Sequence, residues 1–166
     1  MNLTIAIETP LSDDVRRLVA ALNETALQLT PREFTHHLTV EQMAGADMTV
    51  FVARDFDPSV ASGRGGKAVA MGALRRHAGG IGEVKRMYTM PDCQGRGIGG
   101  RILAEIEALA RREGLKSLVL ETGTNFFAAL RLYERHGFRS SGPVLDYPPS
   151  PHTAFFEKPL FVGVSA

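Results

Sequence analysis

The stretch Pro91-Asp92-Cys93-Gln94-Gly95-Arg96-Gly97-Ile98-Gly99-Gly100 decides the reading of this chain. It follows a run that reads as a strand, Glu83 to Thr89, and it opens a helical stripe of Ile98, Ile102, Leu103, Ile106, Leu109 and Ala110. Glycines there let the backbone turn tightly and admit a ligand without Cβ atoms in its way. The unpaired N–H groups of a first helical turn, with the helix dipole, form an anion site, and a diphosphate is the natural guest. Three phosphate-binding readings compete. A nucleotide P-loop requires Gly-Lys-Ser/Thr, which is absent. Gly95-Arg96-Gly97 begins a dinucleotide fingerprint, but that fingerprint belongs early in a βαβ unit and the element order here is wrong for one. The third pattern, Gln/Arg-x-x-Gly-x-Gly/Ala, is met by Gln94, Gly97 and Gly99.

Working outward, Leu3 to Ile7 reads as a first strand, and Ser12 starts a helix whose apolar positions are Val15, Leu18, Val19 and Leu22. Pro31 opens a second helical stretch, roughly Arg32 to Met43. Strands follow at Met48 to Arg54 and Lys67 to Arg75, separated by a Ser-, Gly- and Pro-rich loop at 57–66, and Gly79-Gly80 marks the turn into the strand before the glycine-rich loop. Beyond the helix that stops at Gly114, the short apolar run Ser117 to Leu120 suits a strand buried on both faces. Phe126 to His136 reads as a helix stopped by Gly137, and strands follow near Phe138 to Ser141 and Thr153 to Lys158. The order predicts an α/β (α+β) fold: a mixed, mostly antiparallel sheet of about six or seven strands with about four flanking helices. No repeat or linker divides residues 1–166, so one domain is expected.

Composition narrows the function. A chain of 166 residues, 44% hydrophobic and 22% charged, is sized for one core, and its 17 glycines are spread rather than tracted. Lys plus Arg is 19 and Asp plus Glu is 18, a net charge of +1, so no global attraction to nucleic acid or an anionic membrane follows. The single cysteine, Cys93, excludes an internal disulfide framework, and no histidine spacing suggests a metal. Glu8, Asp13 and Asp14 break up any leader-like start, and no run approaches the roughly 18 apolar residues of a membrane span, so a cytoplasmic location is expected.

The Gln94–Gly99 pattern, placed between a fourth strand and a third helix, resembles the coenzyme A pyrophosphate loop of the GNAT (GCN5-related) N-acetyltransferases. Leu132-Tyr133-Glu134-Arg135-His136-Gly137-Phe138 is similar to that family's Leu-Tyr-x-x-x-Gly-Phe, and the element order matches over essentially the whole chain. Gly82-Glu83-Val84-Lys85-Arg86-Met87 and Leu120-Glu121-Thr122-Gly123 resemble small bacterial members. The resemblance implies an acetyl-CoA-dependent enzyme, needing no metal, that acetylates a primary amine of a small molecule by direct attack in a ternary complex. It leaves room for a homodimer, for a peptide or protein acceptor, and for a non-catalytic acyl-CoA-binding module of the same fold.

Residue roles carry over by position. Gln94, Gly95, Arg96, Gly97, Ile98, Gly99 and Gly100 would hold the pyrophosphate. Met87, Tyr88 and Thr89 would pair with the pantetheine arm, one N–H near Met87 or Tyr88 facing the thioester oxygen. Arg96, Arg101, Arg131 or Lys116 would meet outer phosphates. Tyr133 resembles the tyrosine that protonates the departing sulfur; the competing reading is a core tyrosine packed with Phe126, Ala129 and Leu130. Glu83 lies eleven residues before Gln94, the spacing of the catalytic glutamate in histone-type members. As a base it would have its pKa raised by partial burial; otherwise it pairs with Lys85 or Arg86. Many members carry an Asn seven residues before the tyrosine; that position is Phe126 here, so Asn125 takes over as coenzyme contact and helix N-cap. His36 with His37, Arg86, Glu121, Tyr147 and the loop Pro148 to Thr153 are the expected acceptor-side residues. If Lys85 or Arg86 faces the cleft, the acceptor should carry a carboxylate, as an amino-acid-like amine does. Cys93 has no activating partner and reads as incidental.

Overall fold

The computed structural model describes residues 2–56 and 65–160. Most of the loop expected at 57–66, residues 57–64, therefore lies outside the described residues.

Strand β1 (Asn2–Ile7) leads into helix α1 (Asp13–Leu29), which begins where expected: the Ser12 side chain accepts from the Val15 N–H, and Asp13 and Asp14 sit in the positive first turn. Val15, Leu18, Val19 and Leu22 are its buried face. The second helix is shorter than the sequence suggested. Arg32–Phe34 makes one 3-10 turn, Thr35 is already extended, and α2 spans only Val40–Met43. The cause is Thr39, whose side chain and the Gln42 side chain cap each other's backbone N–H groups, restarting the helix there. His36 and His37 consequently lie on a non-helical segment.

Strands β2 (Met48–Phe56), β3 (Lys67–His77) and β4 (Ile81–Thr89) continue an antiparallel meander from β1. Helix α3 (Ile98–Arg112), β5 (Ser117–Gly123), α4 (Phe127–Arg135), β6 (Arg139–Ser141) and β7 (Thr153–Pro159) complete a seven-stranded sheet in the order β1-β2-β3-β4-β5-β7-β6. Among the described residues the β4–β5 pair is parallel and the other pairings are antiparallel.

The sheet carries a core on each face. Val50 and Val52 of β2 point to α1 and α2, whereas the alternate residues Phe51 and Ala53 join Ile98, Ile102, Leu103 and Ile106 of α3. Tyr133 of α4 belongs to this second core. Leu118, Val119 and Leu120 of β5 are all buried, as an apolar run in a strand covered on both faces should be.

Candidate active site

Two irregularities in the sheet create the site. Pairing of β4 with β5 covers only Ile81–Glu83 against Ser117–Val119. Beyond it, β5 remains paired to β7 and β4 to β3, so the two strands part. Within β4 a bulge lies between Lys85 and Tyr88, opposite Ala73 and Met71, and Arg86 there has φ 57°. A non-glycine residue in that region is strained and persists only when its surroundings demand it. The bulge turns Arg86 toward α1 while Met87 packs into the core on the α3 face, against the flat spot that Gly72 provides.

A cavity of about 130 Å³ occupies the gap. Lys85, Arg86 and Met87 form one wall, Glu121 and Tyr133 the other, and Leu22 and Ala26 of α1 with His36 and His37 roof it. The broken second helix thus delivers both histidines to the cavity. The expected contribution from the loop Pro148 to Thr153 comes through His152, which lines the cavity and stacks on Phe34 at 4.9 Å between ring centroids.

The glycine-rich loop begins at the far end of β4. Pro91–Cys93 forms a 3-10 turn, and the Gln94 side-chain amide donates to the Thr89 carbonyl at 3.1 Å, so Gln94 braces the loop. Gly97 is the N-cap of α3 with φ 75°, and the first helical bond runs from the Arg101 N–H to its carbonyl. The N–H groups of Ile98, Gly99 and Gly100 are therefore left without intrahelical partners. A Cβ built on Gly95 or Gly97 meets nothing within 4 Å, the open face that an anion-binding cradle requires. On the other side, a Cβ on Gly100 would lie 2.8 Å from His136 Nε2, so this glycine lets α3 approach α4. Ile98 is buried, Arg96 and Arg101 flank the cradle in sequence and are exposed, Arg131 on α4 is exposed, and Tyr88 packs on the α1-side core. Lys116 is placed otherwise: its N–H bonds to Gly80 O at 2.7 Å, at the opposite end of β4 from the loop.

Tyr133 is at once a core residue and a cavity residue. Only 5% exposed, it packs on Phe138 and Phe156 at centroid distances of 5.8 and 6.3 Å, yet it also lines the cavity. Burial pushes its phenol above the ordinary tyrosine value, so it stays protonated at neutral pH. Among the described residues its hydroxyl has no hydrogen-bond partner.

The two glutamates exchange properties relative to expectation. Glu83 is 1% exposed and does not line the cavity. Its carboxylate accepts from Lys85 Nζ at 3.0 Å and the Tyr147 hydroxyl at 2.6 Å, and it contacts His77 Nε2 at 2.8 Å. Burial alone would raise its pKa, but the Lys85 charge and these hydrogen bonds outweigh that and hold it below the ordinary range. The raised pKa expected of Glu83 is instead found at Glu121, where burial acts with only weaker opposition from Lys85 and His36. Tyr147 is drawn behind the wall by Glu83 and Lys85, its ring 5.2 Å from that of His36.

Asn125 does not cap α4. The N-cap residue is Phe126, which makes no side-chain capping bond, and Asn125 Nδ2 donates to Leu29 O at 3.0 Å, tying α4 to the end of α1. Cys93 is buried, and burial followed by neighbouring Asp92 pushes its thiol up, away from the thiolate a nucleophile needs. Asn23, which bonds Arg86 across 63 residues of sequence, was invisible to any local pattern. No group of three or more His, Cys, Asp or Glu residues suited to a metal occurs among the described residues, nor any helix long and apolar enough to cross a membrane.

Comparison with known proteins agrees with this geometry. The Acetyltransferase (GNAT) family pattern matches residues 19–138, which contain the parted strands, the cradle and Tyr133. The chain is 41% identical over 160 residues to an IAA acetyltransferase of Azospirillum brasilense, covering 96% of this chain and 99% of that protein. A crystal structure from Klebsiella pneumoniae, assigned as an acyl-CoA N-acyltransferase, is 32% identical and superposes with a TM-score of 0.77 over 96% of this chain and 98% of the other. The PaiA N-acetyltransferase of Thermoplasma acidophilum, solved in complex with coenzyme A, shares the fold with a TM-score of 0.71 at 16% identity, over 96% of this chain and all of that one. The chain belongs to the GNAT family and is an acetyl-CoA-dependent N-acetyltransferase.

Proposed function

We propose that the protein transfers the acetyl group of acetyl-CoA to the primary amine of a small molecule held in the cavity between β4 and β5. The observation that carries this reading is an amide cradle at the start of α3 packed against α4, the helix whose Tyr133 lines the cavity. Acetyl-CoA supplies an acetyl thioester as the electrophile. The free N–H groups of Ile98, Gly99 and Gly100 bind its pyrophosphate, with Gly95 and Gly97 leaving room for close approach. The β4 backbone past Glu83, relieved of pairing to β5, offers N–H and C=O groups to the pantetheine arm, and the bulge at Arg86–Met87 orients one N–H toward the thioester oxygen.

Proton traffic falls to two side chains. Glu121, its carboxyl raised by burial, takes the proton that the acceptor's ammonium must lose before its nitrogen can attack. The C–N bond forms as the C–S bond breaks; Tyr133 gives its proton to the departing sulfur, and the second proton that the nitrogen sheds on becoming an amide passes to water, from which Tyr133 is reprotonated. Glu83 acts from behind the wall, fixing Lys85 and Tyr147.

The test is a panel of amines with acetyl-CoA, followed by free thiol release and detection of the N-acetyl product. Turnover with at least one small amine, and a thermal shift by acetyl-CoA but by neither ATP nor NAD, are the expected results. Stabilisation by acetyl-CoA with no turnover on any amine of the panel would overturn the small-molecule acceptor and leave a peptide or protein amine as the acceptor class.

A further inference from the structure

The cavity wall nearest α1 holds two buried nitrogen atoms with nothing to bond. Arg86 Nε and His37 Nε2 are both shut off from solvent and unpartnered, and both residues line the cavity. The Arg86 guanidinium donates to Asn23 Oδ1, a neutral acceptor, and has no carboxylate partner among the described residues. Building on the amine-acetylation reading, we propose that the acceptor also carries a carboxylate, seated on Arg86 and His37 with its amine turned toward Glu121.

Each neighbouring charge supports that assignment. Lys85 also lines the cavity, but its ammonium is engaged by Glu83 and Tyr147, which leaves Arg86 as the cation open to a ligand. Burial lowers the Arg86 pKa to about 10, so the group remains charged at neutral pH and its charge is uncompensated. Burial, followed by the nearby charges of Arg86, Arg32 and His36, depresses His37, so its ring is neutral and, as the Nε2–H tautomer, donates to the same anion. A guanidinium presents N–H groups in a fork matched to carboxylate oxygens, and Nε is one tine of that fork. The β-bulge and the φ of 57° at Arg86 are the strain that places this side chain under α1 rather than in solvent. A cation on one wall and a carboxyl on the other suit a zwitterion, and Leu22, Ala26 and Phe126 offer its remainder an apolar surface.

Two arms test this. With the protein saturated by CoA, calorimetry compares 4-methylpentanoate with 4-methylpentanamide, which match leucine without its amine and require no turnover. Thiol release from acetyl-CoA then compares leucine with isopentylamine and phenylalanine with phenethylamine. The carboxylate is expected to bind at least tenfold tighter than the amide, and each amino acid to exceed its decarboxylated partner at least tenfold in kcat/KM. Arg86→Met should bring these ratios to within about twofold of one, and His37→Gln should lower them in part. Should Arg86→Met fail to fold, the native comparison and His37→Gln still decide. Equal binding of acid and amide, including no binding of either, overturns the proposal, as does an undiminished ratio in folded Arg86→Met. Thiol release with equal rates would leave amine acetylation standing and remove the carboxylate seat. Carboxylate preference without release from any amine would do the reverse.

Discussion

Two carboxyls a few residues apart in space, Glu83 and Glu121, differ because one has been given partners and the other has not. Glu83 is surrounded by Lys85, Tyr147 and His77 and titrates low; Glu121 is half-buried on the cavity and titrates high. If Glu121 takes the ammonium proton, activity should rise with pH through its elevated pKa, and the acidic limb of kcat/KM should vanish in Glu121→Gln. A limb that survives would assign the proton to another group. The same substitution should raise Tm by a few degrees at pH 7, because a carboxyl with a raised folded pKa destabilises the fold wherever it is ionised; the difference should disappear below about pH 4.5. Tyr133→Phe removes one oxygen from a well-packed ring. It should lower kcat by about 10²-fold while the acetyl-CoA dissociation constant moves less than about threefold, and an unchanged kcat would leave Tyr133 a core residue only.

Between the residue and the fold lies the loop-to-helix junction at Gly97. Gly97→Ala gains no clash, since no atom lies within 4 Å, but forces alanine to φ 75°. The cost should be about 1–2 kcal/mol in stability, with weaker coenzyme binding, measurable by denaturant unfolding and by calorimetry. This junction was legible in the sequence because glycine spacing and helical periodicity are local properties. So was α1, whose capping serine and four apolar positions all kept their roles. The second helix was not. Its start depends on a capping box at Thr39, which competed with Pro31 for the same role, and the loser left His36 and His37 at the roof of the cavity. Nor did Asn125 cap α4, because Leu29 O lies within its reach. The β4 bulge is not encoded locally either: nothing in Lys85-Arg86-Met87 departs from a strand pattern, and the irregularity exists only against the register of β3.

At the scale of the whole molecule, the opened β4–β5 seam matters more than any single group, while paired carboxylates spread over the fold set how it responds to acid. Asp14, held down chiefly by Arg54, and Glu113, held down chiefly by Arg76, titrate below their ordinary values. Glu83 and Glu107 do so too, their burial outweighed by Lys85 for the first and by Lys158 and Arg111 for the second. Depressed carboxyls contribute stability that is fully present above their unfolded values and is lost as pH falls through the folded ones. Tm should therefore fall between pH 5 and pH 3. Glu83→Ala, which strands Lys85, should cost about 3–5 kcal/mol at pH 7 by denaturant unfolding, and a loss under 1 kcal/mol would contradict the buried pair. The sequence made the seam's two flanks readable, through the glycine-rich loop and Leu132-Tyr133, but the cavity between them is assembled from contacts too distant in the chain for any spacing to encode. The most direct check of what that seam does is a stoichiometric one: the protein incubated with acetyl-CoA and the amine panel, free thiol and N-acetylated product counted together. One acetamide per thiol, with no release when amine is withheld, is the expected result; thiol release without acetamide, or coenzyme binding with neither product, would contradict it.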